Sequence, residues 1–243
     1  VLVSNGSSLL LYLAIRILAP PGSQVILTDP CYACYENVVR LAGAEPVMIK
    51  LRHEDGFQLN VDDLKKRVTP KTRAMLINSP MNPTGVVFSS EVMTALAELD
   101  IPVISDEIYA DLSFEDPPCS FLSYSPQTVA IHGFSKSYAM TGWRLGYMIT
   151  PLEWMSAADR LHQNLMISAT EFVQEAGIWV LQKSKAYRES MKTEFNRRRL
   201  FVLERMRELG MDLGYTPTGA FYVLYKYFDE IIILTKISFV LKS

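Results

Sequence analysis

Residues 74–109 read AMLINSPMNPTGVVFSSEVMTALAELDIPVISDEIY, and the fold turns on how they are parsed. Ala74 to Ile77 is an apolar run of strand length. Asn78 to Gly85 is rich in Asn, Pro and Gly, the residues of a loop. Residues 89–99 read as a helix, and Pro102 to Ser105 is a second apolar strand. Strand, helix and strand in that order make a βαβ unit with two parallel strands.

The same alternation continues on both sides. Upstream, Val1 to Val3 is strand-like, and Asn5-Gly6-Ser7-Ser8 places N-cap residues before a helical run that Pro20-Pro21-Gly22 stops. Val25 to Leu27 and Pro46 to Leu51 read as strands around a helix at 33–42, and Asn60 can cap a helix over 61–67. Downstream, Thr128 to His132 is another strand. From about 151 the pattern turns helical, over 151–162, 170–182 and 183–209, before a β-like run at 219–224. The last of these helices carries nine Lys/Arg against four Glu, which reads as a solvated face. The expectation is an α/β chain with a mainly parallel sheet sandwiched by helices over 1–183. A long helix and a partial α+β domain follow over 184–243.

Composition narrows the function. The 243 residues are 49% hydrophobic and 21% charged, a globular balance. With 24 Lys+Arg against 26 Asp+Glu, the chain has no basic excess for nucleic acid or a membrane surface. Ile231 to Val240 is about half of the roughly 20 residues that a spanning helix needs, and Lys236 interrupts it. Three cysteines make no disulfide framework, which points to a reducing compartment, read as the cytoplasm. Cys31 and Cys34 form the one Cys-x-x-Cys, without the partners of a zinc site, and no metal is expected. GxGxxG and P-loop patterns are absent.

In parallel sheets ligands bind beyond the carboxyl ends of the strands. Residues there form an unusual set. Gly6, Ser7 and Ser8 open a helix whose N–H groups suit an anion, although Ser at such a place is commonly a plain cap. Tyr32 and Tyr35 can stack or pack. Asn82 lies in the turn-rich loop. Asp106 ends a buried strand, where a carboxylate is costly without a cation, and Tyr109 follows three residues later. Ser135 and Lys136 follow the strand at 128–132, and Arg144 comes eight residues after the lysine. One ligand would use them all: a phosphate, a flat ring, a ring nitrogen wanting a carboxylate, a ring oxygen and an aldehyde, as in pyridoxal phosphate.

The run GFSKSYAMTGWRLG, residues 133–146, resembles the lysine motif of the class I and II aminotransferases of pyridoxal-phosphate (PLP) fold type I. NSPMNPTG at 78–85 and SDEIY at 105–109 resemble segments of the same family, in the same order, and the resemblance covers Val3 to about Leu224. It implies a seven-stranded, mainly parallel sheet and pyridoxal 5'-phosphate as cofactor. It further implies that Lys136 holds the cofactor as a Schiff base and then moves a proton at the substrate Cα. Asp106 would keep the ring nitrogen protonated, and Tyr109 and Asn82 would bind the ring hydroxyl oxygen. Arg144, Gly6, Ser7, Ser8 and Ser135 would hold the phosphate, and Tyr32 would stack on the ring. Where the family often has a hydroxyl residue three before the lysine, this chain has Gly133.

The implied function is transfer of an amino group between an L-amino acid and a 2-oxo acid, by a homodimer most like the aspartate-type enzymes. A C–S lyase or eliminase on the same fold, or a non-catalytic paralogue that binds PLP, stays open. The family has an N-terminal arm that reaches the partner subunit, and a C-terminal arginine for the substrate carboxylate. Here no Arg follows Arg207, and the residues after about Tyr227 depart from the family. The chain therefore reads as truncated at both ends.

Overall fold

The computed structural model describes residues 1–115, 119–227 and 230–235. Seven strands form one sheet: β1 (Leu2–Ser4), β2 (Gln24–Asp29), β3 (Glu45–Lys50), β4 (Thr72–Asn78), β5 (Val103–Asp106), β6 (Thr128–Gly133) and β7 (Gly146–Ile149). Their order is β1-β7-β6-β5-β4-β2-β3. β7 runs antiparallel to both of its neighbours, and the other neighbouring pairs are parallel. The expected mainly parallel, seven-stranded sheet is therefore present.

Parsing by local pattern left β7 unassigned. Its four residues follow the lysine segment with no turn signal that would separate them. Strand β6 returns into β7 through residues 134–145 without a crossover helix, and so the pair is antiparallel.

Side chains alternate between the faces of the sheet, as strand geometry requires. Val25 and Leu27, Leu76, Ile104 and Ile131 face a layer made by α1 (Ser7–Leu18), α2 (Cys34–Leu41) and α5 (Leu152–Met166). Ile26, Met75, Ile77 and Val103 face the opposite layer, with Leu64 of α3 (Val61–Lys65) and Leu96 of α4 (Ser90–Ala97). The near-continuous apolar strands are those of a sheet covered on both sides.

Beyond the sheet, α6 (Glu171–Lys183) and α7 (Lys185–Glu208) meet at Ser184. The basic α7 is mostly exposed and buries Arg199, Val202 and Met206. Strand β8 (Tyr222–Tyr227) pairs antiparallel with β9 (Glu230–Thr235). The loop before β8 closes against the Asn-Pro-Thr-Gly loop, where Gly219 N–H donates to the Gly85 carbonyl at 2.8 Å. Gly85 has φ +72°, and a Cβ there would meet the Tyr222 carbonyl oxygen at 2.6 Å, so only glycine allows this approach. The apolar run Ile231–Val240 lies partly in β9, and its residues from 236 fall outside the described residues. Among the described residues no helix is long and apolar enough to cross a membrane.

Candidate active site

Parallel strands deliver their C-terminal ends to one edge of the sheet, and the loops there carry the named residues. A cavity of about 260 Å³ is lined by Ser7, Ser8, Tyr32, Asn82, Asp106, Tyr109, Ser135, Lys136 and Arg144. Of the residues singled out in the sequence, only Gly6 is missing from its wall.

Gly6 sits immediately beside it, at the N-cap position of α1. The sequence suggested a side-chain cap there, but no side chain caps α1. The first-turn N–H groups are thus left to face an anion. Gly6 has φ 88° and ψ 167°, a conformation essentially restricted to glycine. A Cβ at Gly6 would collide with Arg144 Nη2, so the guanidinium rests where a side chain would be. Arg144 itself has φ +54°, and its Nη1 donates to the Thr141 carbonyl at 3.0 Å. A helix N-terminus and an arginine converge on the same space. At Gly133, in contrast, a Cβ would lie 2.5 Å from Ile108 Cδ1, so a hydroxyl residue there would require the end of that side chain to shift.

Asp106 ends β5 and is 4% exposed. Tyr35 Oη donates to its Oδ2 at 2.7 Å, and the Ile108 N–H donates to Oδ1 at 3.2 Å. Burial pushes its carboxyl up to about 6, against the opposing pull of these two bonds and of the His132 charge. Asn78 links this strand to the neighbouring loop: its Nδ2 donates to the Asp106 carbonyl at 2.8 Å, and its Oδ1 accepts from Asn82 N–H at 2.7 Å. Tyr109 is also buried, and its phenol is raised by desolvation and by Tyr222. Lys136 Nζ lies 5.8 Å from the Tyr109 ring centroid and 5.6 Å from that of Phe221. Tyr32 is 39% exposed and meets Tyr35 edge to face at 5.5 Å, leaving ring surface toward the cavity. Thr141 Oγ1 donates to the Ser135 carbonyl at 2.8 Å and pins the turn that carries Lys136.

Sequence reasoning singled out Tyr35 as a ring that can stack or pack but missed it as the partner of Asp106, and it missed Asn78, Thr141 and Tyr222 on the cavity wall. For Tyr35 a signal existed, since it lies three residues beyond Tyr32 at a helix start. For Tyr222 there was none before the fold brought β8 to β5.

One buried group sits just outside the cavity. Glu107 Oε1 accepts from Ser105 Oγ, Ser120 Oγ and the Phe121 N–H at 2.8–2.9 Å, and Oε2 faces His132 Nε2 at 3.1 Å. Burial alone would raise its pKa, but His132 and these hydrogen bonds outweigh that and hold it below the usual glutamate value. Glu107→Ala is expected to lower unfolding free energy by about 3–5 kcal/mol, because it strands every one of those partners. Urea denaturation measures it, and a loss under about 1 kcal/mol would mean that water replaces the carboxylate.

A second, larger cavity of about 840 Å³ adjoins the first, sharing Tyr32, Asn82, Ser135, Lys136, Thr141 and Tyr222. Met191, Phe195, Arg198 and Arg199 of α7 and Phe221 form another part of its wall. Both arginines already have partners. Arg198 binds Glu194 at 2.7 Å, and Arg199 binds Glu115 at 2.9 Å and the Pro217 carbonyl at 2.7 Å. Among the described residues no cluster of His, Cys, Asp and Glu could hold a metal ion.

Comparison with known proteins bears on this arrangement. The sequence family described as aminotransferase class I and II matches residues 1–231. The (5-formylfuran-3-yl)methyl phosphate transaminase of Methanocaldococcus jannaschii is 39% identical over 229 residues, which are 92% of this chain and 59% of that protein. The aspartate aminotransferase of Pyrococcus horikoshii is 34% identical over 231 residues, with the same coverage of 92% and 59%. Among solved structures, an aspartate aminotransferase double mutant from Thermus thermophilus superposes with a TM-score of 0.88 at 35% identity. It is matched over 92% of this chain and 60% of its own. The chain thus spans about three-fifths of the length of these relatives.

Proposed function

Because the chain belongs to the class I and II aminotransferases, which work with pyridoxal 5'-phosphate, we propose that it transfers an amino group between an L-amino acid and a 2-oxo acid. The observation that carries this reading is the shared cavity: an anion cradle, a buried carboxylate, a phenol and a lysine amine open onto one space.

The donor set fits the cofactor. The uncapped α1 N-terminus, with Arg144 in the space above Gly6, suits a phosphate dianion. Ser7, Ser8 and Ser135 add hydroxyls to that end. The buried Asp106, raised by desolvation, gains most from a cation, and a protonated ring nitrogen supplies one. When bound, the cofactor supplies an electrophilic carbon for the substrate nitrogen and a ring that takes up electrons.

The chain's own residues do the rest. Arg144 and the α1 N–H groups bind and orient the phosphate. Tyr32 covers one ring face. Asp106 holds a proton at the ring nitrogen, kept in place by Tyr35. Tyr109 and Asn82 hold a proton at the ring oxygen. The Lys136 amine, close to Tyr109 and Phe221, carries the cofactor and moves a proton at the substrate Cα. Phe195, Met191 and Phe221 keep water from the adjoining space.

Reconstitution with pyridoxal 5'-phosphate, followed by a screen of amino-acid donors against 2-oxoglutarate and pyruvate, tests the proposal. A visible absorption band that bleaches with a donor and returns with a 2-oxo acid is expected. A protein that acquires no band, or that releases ammonia instead of passing the amino group on, overturns it. Gly6→Ala is expected to weaken cofactor affinity by about 10- to 100-fold, since the new Cβ evicts Arg144 from a charge-assisted contact. Equilibrium dialysis against the cofactor measures this, and unchanged affinity would detach Arg144 from the phosphate.

The same reading extends to assembly and location. α6 exposes Phe172, Ile178, Trp179 and Leu181, an apolar face that a second copy of the chain would cover as a homodimer. Light scattering should return twice the monomer mass. The three free cysteines accord with the cytoplasm.

A further inference from the structure

The Tyr109 phenol has a second oxygen beside it. Tyr222 opens β8, and its hydroxyl lies 2.6 Å from that of Tyr109. The two rings are 4% and 9% exposed and meet edge to face with centroids 5.5 Å apart. Two phenols at this distance share one proton between their oxygens. The other proton must point elsewhere, and its direction decides what the pair can do.

The surroundings distinguish the two arrangements. Tyr109 lines only the smaller cavity, where the cofactor reading places a ring oxygen. Tyr222 also faces the larger one and packs in an apolar cluster with Met191, Phe195 and Phe221 beside it. If Tyr109 donated to Tyr222, the Tyr222 proton would turn to the adjoining space, and Tyr109, which lines the smaller cavity alone, would have no proton left for a ring oxygen there. If Tyr222 donates, the Tyr109 proton is free for the cavity. A hydroxyl that accepts one hydrogen bond is also polarised to donate a stronger one.

We propose that Tyr222 is a positioning residue of the cofactor site, whose hydroxyl donates to Tyr109 and so turns and strengthens the Tyr109 donor toward the cofactor's ring oxygen. This rests on the cofactor reading given above. It ties the electronic state of the site to β8, an element that follows α7 and also forms the wall of the adjoining cavity. The rest of the pair's setting is fixed. Tyr35 holds the nearby Asp106 carboxylate, and Gly85 lets the loop before β8 approach closely enough to place Tyr222.

The test uses the holoprotein and the pH midpoint of the bound cofactor's visible absorption. A proton donated to the ring oxygen drains its negative charge and eases proton loss from the Lys136 nitrogen, which lowers that midpoint. Tyr222→Phe keeps the ring and its packing and removes one oxygen. It is expected to raise the midpoint by a few tenths of a pH unit, the size of a partial loss of donor strength. Tyr109→Phe should raise it further, and the double variant should match Tyr109→Phe, because Tyr222 acts through Tyr109. A lower midpoint in Tyr222→Phe would mean that the proton order is reversed. An unchanged midpoint, with or without a fall in melting temperature, would reduce Tyr222 to packing. Additive shifts would place its action outside Tyr109. Each of these three overturns the proposal while a normal wild-type band leaves the cofactor reading intact. A wild-type protein without a band overturns that reading, and this proposal with it.

Discussion

Replacing Lys136 with alanine is expected to leave a folded protein that still takes up pyridoxal 5'-phosphate but moves amino groups at least about 10⁴-fold more slowly, the scale set by losing a general acid–base that also binds covalently. The argument is one of position. Lys136 follows β6 on a turn pinned by Thr141, and its amine reaches the wall between the two cavities. The phosphate cradle, Asp106 and the covering Tyr32 do not depend on it, so cofactor uptake should survive the change. Borohydride reduction of the wild-type holoprotein followed by peptide mapping provides a direct check. The label is expected on the peptide containing Lys136, and label on any other lysine would overturn the assignment.

Asp106→Asn is expected to act in opposite directions on the empty and loaded protein. In the empty protein burial raises the Asp106 carboxyl from 3.8 to about 6. The native state therefore holds a proton that the unfolded chain has released between those values, and stability falls as pH rises through that window. The loss by pH 7 is of order 3 kcal/mol, the free-energy equivalent of about two pH units. Asparagine removes it: Oδ1 can stay on the Ile108 N–H, and Tyr35 can turn to accept from the new amide. The variant without cofactor should therefore melt higher than wild type at pH 7.5, and the gain should vanish below about pH 4. In the proposed cofactor complex the carboxylate would face a cationic ring nitrogen. Removing one member of a buried pair then costs about 3–5 kcal/mol, which is on the order of 10²- to 10⁴-fold in turnover. Thermal melts across pH and single-turnover kinetics measure the two arms. A variant that is no more stable when empty would mean that water reaches the carboxylate.

The ten residues named as a site lie near one another because of a property that a sequence displays. Gly6, Asn82, Asp106, Lys136 and their neighbours each follow an apolar run within a few residues. Parallel strands then carry all those followers to the same edge. Likewise, short apolar runs alternating with helices fixed the layered architecture, because burial on both faces demands continuous apolar strands. The misses have the opposite character. β7 is too short, and too close to the lysine segment, to announce itself, and only its pairing with β1 and β6 defines it. The capped first helix expected from Asn5 to Ser8 is an uncapped one, because its N-cap position falls on Gly6, and Arg144, far along the chain, occupies the space where a side chain would be.

By itself the sequence determined the parallel strands β2 to β6, the helices that cross between them, and most of the chemical groups that reach the carboxyl edge, since each depends on residues close together in the chain. Tertiary structure alone decided the pairings that set how those groups behave. Tyr35 reaches Asp106 across 71 positions, and Tyr222 reaches Tyr109 across 113. The raised carboxyl of Asp106 likewise comes from desolvation by several elements at once. A hydrogen bond between distant residues leaves no period in the sequence, and a desolvation cost exists only after the water has been displaced.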